Sequence, residues 1–135
     1  VPATVTANRF EISHGQFEHI TVLRPSGPPQ QFVMLMTGNE TPGAADWQLA
    51  QSMVGKGAMV AVVPLPPFER AISAVSPKCI YATGSVENFA RYVQAQEKLS
   101  TYILPLLVGT GPDGGTFVYT VLAQAPPNNF TGVLS

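Results

Sequence analysis

QFVMLMTGNETPGAADWQLAQSMVGKGAMVAVVPLPP, residues 31–67, is the stretch whose reading decides the fold. Gln31 to Thr37 is an almost unbroken apolar run, the pattern of a strand covered on both faces rather than one. GNETPGAAD reads as a turn, and Trp47 to Lys56 reads as a helix. Ala58 to Val63 is a second apolar run, stopped by Pro64, Pro66 and Pro67, which cannot donate to a sheet ladder. Two doubly covered strands joined through a helix imply parallel pairing and a right-handed crossover.

The flanking sequence extends this pattern. Upstream, RFEISHGQFEHITVLRP reads as two strands turning at His14-Gly15, and PSGPPQ as a loop. Downstream, Val86 to Leu99 carries Val86, Phe89, Ala90 and Val93 on one face of an amphipathic helix, with Ser85 as its expected N-cap. YILPLLVG supplies a third buried strand, centred on Ile103 to Val108, with Pro105 near its start. Thr116 to Ala125 reads as a helix apolar nearly all round, and FTGVLS as the start of a fourth strand. The expected architecture is α/β: a three-layer α/β/α domain spanning residues 1–135, with a mostly parallel sheet behind an N-terminal antiparallel hairpin. Ligands of such sheets bind beyond the C-terminal strand ends, which places the expected cavity near Asn39, Leu65 and Gly111.

Composition narrows the functional classes. The chain has 135 residues, 45% of them hydrophobic, enough for one packed core. Only 11% are charged and the formal net charge is -1, with no Lys/Arg run to attract nucleic acid. No apolar run approaches the roughly 20 residues of a membrane span. Cys79 is the single cysteine, which rules out an internal disulfide and reads as a small buried apolar residue. His14 and His19 are the only histidines, too few for a zinc site, so no metal and no cofactor is expected.

The chemistry-bearing stretch is LLVGTGPDGGTFVYTVLAQAP, Leu106 to Pro126. A strand entering a glycine-rich corner before a helix is the layout of a nucleophile elbow. Where a hydrolase would carry Ser or Cys, this chain reads Gly-Pro-Asp-Gly-Gly. Asp113 fits G-x-D-x-G, but it falls two residues late after the strand and reads more simply as a helix N-cap. Serine hydrolases of this layout order their triad Ser, Asp/Glu, His. An acid and a histidine in that order would lie beyond Ser135, whereas both histidines lie far upstream in the hairpin. The corner can still present backbone N–H groups to an anion, through Gly38, Asn39, Gly109, Thr110, Gly111, Gly114 and Gly115. It matches neither G-x-G-x-x-G nor a P-loop.

Residues 14–68, HGQFEHITVLRPSGPPQQFVMLMTGNETPGAADWQLAQSMVGKGAMVAVVPLPPF, resemble the start of the VirJ/AcvB proteins. CIYATGSVENFARYVQAQEKLSTYILPLLVG and YTVLAQAPPNNFTGVLS resemble the N-terminal half of the longer, two-domain AcvB type. In that family an apolar strand runs into Ser-Gly-Asp-Gly-Gly-Trp. Here Thr37-Gly38-Asn39 reaches Trp47 only after an insertion. The resemblance implies a truncated α/β-hydrolase-like fold, a periplasmic location and a role in bacterial virulence. Catalytic members carry Gly-Tyr-Ser-x-Gly-Ala after the strand and hydrolyse aminoacylated phosphatidylglycerol. The serine position of that motif falls here on Gly111 or Pro112, neither of which is a nucleophile. The departure implies a non-catalytic domain used in binding or in support of a catalytic partner domain. Two alternatives stay open: a hydrolase of aminoacyl-phosphatidylglycerol with catalytic residues outside this sequence, and a periplasmic scaffold for secretion or virulence proteins. The partners implied are a C-terminal catalytic domain or other periplasmic proteins, with a phospholipid headgroup as ligand.

Overall fold

The three unalternating apolar runs form the middle of a six-stranded sheet. In the computed structural model, which describes residues 9–15, 17–75, 82–99, 101–110 and 132–134, the elements are β1 (Arg9–His14), β2 (Phe17–Leu23), β3 (Gln31–Thr37), α1 (Ala44–Gly55), β4 (Ala58–Pro64), α2 (Leu65–Val75), α3 (Ala82–Gln96), β5 (Pro105–Thr110) and β6 (Gly132–Leu134). The strand order is β1-β2-β4-β3-β5-β6. β1 pairs antiparallel with β2 and β2 antiparallel with β4, while β4, β3, β5 and β6 run parallel. The mixed sheet with an N-terminal hairpin is the one the sequence implies.

Both faces of the sheet are covered, which is why the runs do not alternate. Met34 and Met36 point to a core with Phe17, Phe32, Leu65, Phe68, Phe89 and Val93. Val33 and Leu35 point to the opposite core, with Val60, Val62, Ala50 and, at its margin, Trp47. The helix stripe Val86, Phe89, Ala90 and Val93 is fully buried, as expected from its spacing.

Four boundaries differ from the sequence reading. First, α1 begins at Ala44 rather than Trp47. Gly43 is its N-cap in extended conformation, and Asp46, at the third helical position, accepts the Gly43 N–H at 3.0 Å. A glycine has no side chain to complete a reciprocal capping box, so the acid supplies the cap alone. Second, the prolines after β4 open a helix as well as ending the strand. Pro66 and Pro67 lie in the first turn of α2, where their missing N–H has no intrahelical partner to lose. Third, α3 starts at Ala82, so Ser85 is inside the helix and is not its N-cap. Fourth, β5 spans 105–110 rather than 103–108. The Ile103 N–H and C=O are both held at 2.8 Å by the Gln94 side-chain amide, which removes them from the ladder. The segments 116–125 and Cys79, read above as a helix and a buried thiol, lie outside the described residues.

The hairpin carries a bulge. Ile12 pairs with Ile20 and His14 with Phe17, so Ser13 faces both Glu18 and His19. His19 takes φ +55°, and its N–H donates to the Ser13 Oγ at 2.9 Å.

Candidate functional site

Thr37 and Thr110 end neighbouring parallel strands and are partners in register, so their side chains emerge on the same face. α1 covers that face, and its first turn brings Asp46 over both. The Thr37 hydroxyl donates to one Asp46 carboxylate oxygen (Oδ2) at 2.9 Å, and the Thr110 hydroxyl donates to the other (Oδ1) at 3.0 Å. Oδ2 also accepts the Asn39 side-chain amide at 3.3 Å and the Gly43 N–H at 3.0 Å. The Asn39 backbone N–H turns back to the Thr37 Oγ1 at 3.3 Å. Asp46 and Thr37 are both buried. The carboxylate therefore joins the ends of β3 and β5, the loop after β3 and the start of α1.

Burial pushes the Asp46 carboxyl up, but the Gly43 N–H, Thr37, Thr110 and Asn39 together outweigh it and hold it below the usual carboxylate range. Among the described residues no cation bonds it; hydrogen-bond donors and the positive end of the helix stabilise its charge. A carboxylate that is reluctant to take a proton and whose lone pairs are engaged is a poor general base and a poor nucleophile. Its role here is to hold backbone in place.

Of the residues expected to bind an anion, Asn39 and Thr110 are brought together, and the anion they hold is Asp46. Gly38 follows Thr37 in the same loop, and Gly109 lies inside β5 opposite Met36. Gly111, Asp113, Gly114 and Gly115 lie outside the described residues. Asp46 itself was hidden in the sequence, where it reads as one more turn acid. The signal that could have found it is its offset of three from Gly43, the spacing of an N-terminal capping acid.

Leu65 and Phe68 do not line an opening at the strand ends. Both are buried, and Phe68 stacks on Phe17 with ring centroids 4.4 Å apart. The histidines are also remote from β5. Strands lie about 4.8 Å apart, so β2 and β1, which carry His19 and His14, are roughly 14 and 19 Å away. His14 stacks on Tyr92 with centroids 4.1 Å apart, and His19 is exposed beside Glu11. The structure describes concave surface at the opposite end of the sheet, in a groove of about 710 Å³ walled by Arg9, Arg24 and the loop from Pro25.

The architecture has a solved counterpart. A highly thermostable carboxyl esterase from Bacillus coagulans, determined in complex with glycerol, superposes with a TM-score of 0.65 over 95% of this chain at 14% identity. The chain has an α/β-hydrolase-like fold. At that identity the likeness shows the fold alone. The chain spans 44% of the esterase, less than half of its length. No family model matches the sequence, and no curated protein matches it.

Proposed function

We propose that this α/β-hydrolase-like chain is a non-catalytic domain of the VirJ/AcvB type, acting in the periplasm in binding or in support of a catalytic partner domain. The observation that carries this reading is the engagement of the loop after β3. A hydrolase of this fold aims an N–H from that loop at the oxyanion, together with one from the residue after its nucleophile. Here the Asn39 and Gly43 N–H groups bond Thr37 and Asp46 instead. A buried ionised carboxylate at the same strand ends would oppose a developing oxyanion. The corner that follows Thr110 also offers no Ser or Cys.

A second reading is favoured by one observation, the 44% coverage of the esterase. In this reading the span supplies half of a hydrolase of aminoacyl-phosphatidylglycerol, with the nucleophile and its base elsewhere. The proposal is tested by hydrolysis of an activated ester and of an aminoacylated phospholipid, measured for this chain and for its Asp113→Ala variant. The expected result is no turnover above the weak acceleration that binding alone can give; on the sequence reading of Asp113 as a helix N-cap, the variant also loses about 1 kcal/mol of stability. Clear turnover in the parent that vanishes in a folded variant overturns the proposal and makes Asp113 the nucleophile. The second reading expects turnover only when further sequence is joined to this span.

A further inference from the structure

The described cations are segregated along the strand axis. Arg9 opens β1 opposite Leu23, and Arg24 follows the end of β2, at the end of the sheet where β3, β4 and β5 begin. Lys56 caps the C-terminus of α1, and Lys98 follows the C-terminus of α3, both at that same end. Glu97 is the acid among them, and it is neutralised by a two-pronged bond from Arg24 at 2.6 and 3.1 Å. Among the described residues, no carboxylate lies within ion-pair distance of Arg9, Lys56 or Lys98. The cations Arg70 and Arg91, away from this end, are each paired, with Glu40 and Glu87.

Arg9, Arg24 and Lys98 line concave surface, and Lys56 sits between two lining residues, Gly55 and Gly57. The groove of about 710 Å³ runs between Arg9 and the turn at Gly55 and Gly57, with Gln30 and Gln51 in its wall. A second groove of about 390 Å³ lies beside Lys98 and Leu99. Both share Arg24, Pro25, Gly27 and Pro28, so they flank one proline-rich loop. That loop is anchored: the Gln30 N–H donates to the Gly57 carbonyl at 2.9 Å, and Arg24 lies 4.3 Å over the Phe10 ring.

Lys98 adds an independent observation. The Lys98 N–H bonds the Ala95 carbonyl and the Leu99 N–H bonds the Gln94 carbonyl, the Schellman arrangement that ends a helix. Lys98 occupies its left-handed position, φ +57°, where glycine is the usual residue and where α1 does use glycine, Gly57 at φ +95°. A side chain in that conformation is strained by about 1 kcal/mol or more. The strain is located at a cation on the groove's rim.

We propose that the paired grooves around the Pro25–Pro29 loop bind an acidic peptide segment in extended conformation. Two concavities on either side of one shared loop fit an elongated chain better than a compact ligand. The Gln30 and Gln51 amides are suited to a peptide backbone, and Arg9 and Lys98 to its carboxylates. A bilayer is flat and cannot enter a groove walled by a loop.

The test is fluorescence anisotropy with a fluorescein-labelled oligoglutamate peptide, alongside a glutamine peptide of equal length, phosphatidylglycerol vesicles and oligothymidylate. The expected result is binding of the oligoglutamate alone, weakened by salt. Arg9→Glu and Lys98→Gly are each expected to weaken it by about tenfold, and Arg70→Gln, away from the grooves, to leave it unchanged. Lys98→Gly relieves the strained backbone, so its urea midpoint stays equal to the parent's or rises, and lost binding cannot be lost folding. No binding of oligoglutamate overturns the proposal, as does equal binding of the glutamine peptide, the vesicles or the oligonucleotide. Unchanged affinity in both groove variants overturns it too.

Discussion

Asp46 is the residue on which the candidate site turns, and its environment makes its contribution measurable. Asp46→Ala leaves two threonine hydroxyls and the Gly43 N–H without their acceptor at a buried strand end. Donors to a charged group that lose their partner in this way cost about 3 kcal/mol in total, expected as a lower urea midpoint. The pH dependence has a definite sign. An unfolded aspartate titrates near ~3.9, and the folded carboxyl is held lower. The unfolded chain therefore binds more protons between those two values, so stability rises with pH there. The Asp46 contribution is complete above the unfolded value and is lost as pH falls through the folded one. Glu40 beside Arg70 is also held low, so the parent's acid limb is not due to Asp46 alone. The difference between parent and Asp46→Ala isolates it: the variant should lose less stability than the parent below about pH 4. Parallel acid limbs would show that the Asp46 carboxyl titrates alike in the folded and the unfolded chain.

At the scale of elements, the junction between α3 and β5 shows what a side chain can do to a strand. Gln94 is buried and gives both halves of its amide to Ile103. Gln94→Leu keeps the volume but strands the Ile103 N–H and C=O, an expected cost of about 2–3 kcal/mol. Hydrogen exchange at Ile103 should accelerate more than at Leu107 within β5. Equal exchange at both sites would mean that the Gln94 bonds do not hold this turn. The same junction shows why some boundaries were legible and others were not. β3 and β4 could be read from unalternating apolar runs, because burial on both faces is written in every residue. Ile103 is as apolar as a strand residue, but its place outside the ladder depends on a glutamine nine residues upstream. α2 was hidden for another reason: a proline bars a helix interior yet suits its first turn, and sequence shows the proline before it shows the turn. Asp46 combines both difficulties, since its partners Thr37 and Thr110 are distant from each other in sequence.

For the whole molecule, the two cores share one set of strands. Met34 and Leu35 are neighbours in β3, and they face opposite cores. Ala61 and Val62 divide in the same way in β4. Neither layer of helices can leave without exposing the backs of residues that support the other, so the domain should unfold as a unit. Trp47 makes this testable, because it is the only tryptophan and it packs at the margin of the α1-side core. Far-UV circular dichroism reports all helices and strands, including α2 and α3 on the opposite face. The urea transitions from Trp47 fluorescence and from circular dichroism should therefore coincide in midpoint and steepness. Phe68→Ala provides the sharper form of the test. It removes a buried ring stacked on Phe17, at an expected cost of about 3–5 kcal/mol, and it lies across the sheet from Trp47. In a cooperative domain that loss shifts the Trp47 transition by the same amount as the circular dichroism transition. A Trp47 transition that stays in place while the dichroism moves would show two layers melting separately, and would mean that the shared strands do not couple them.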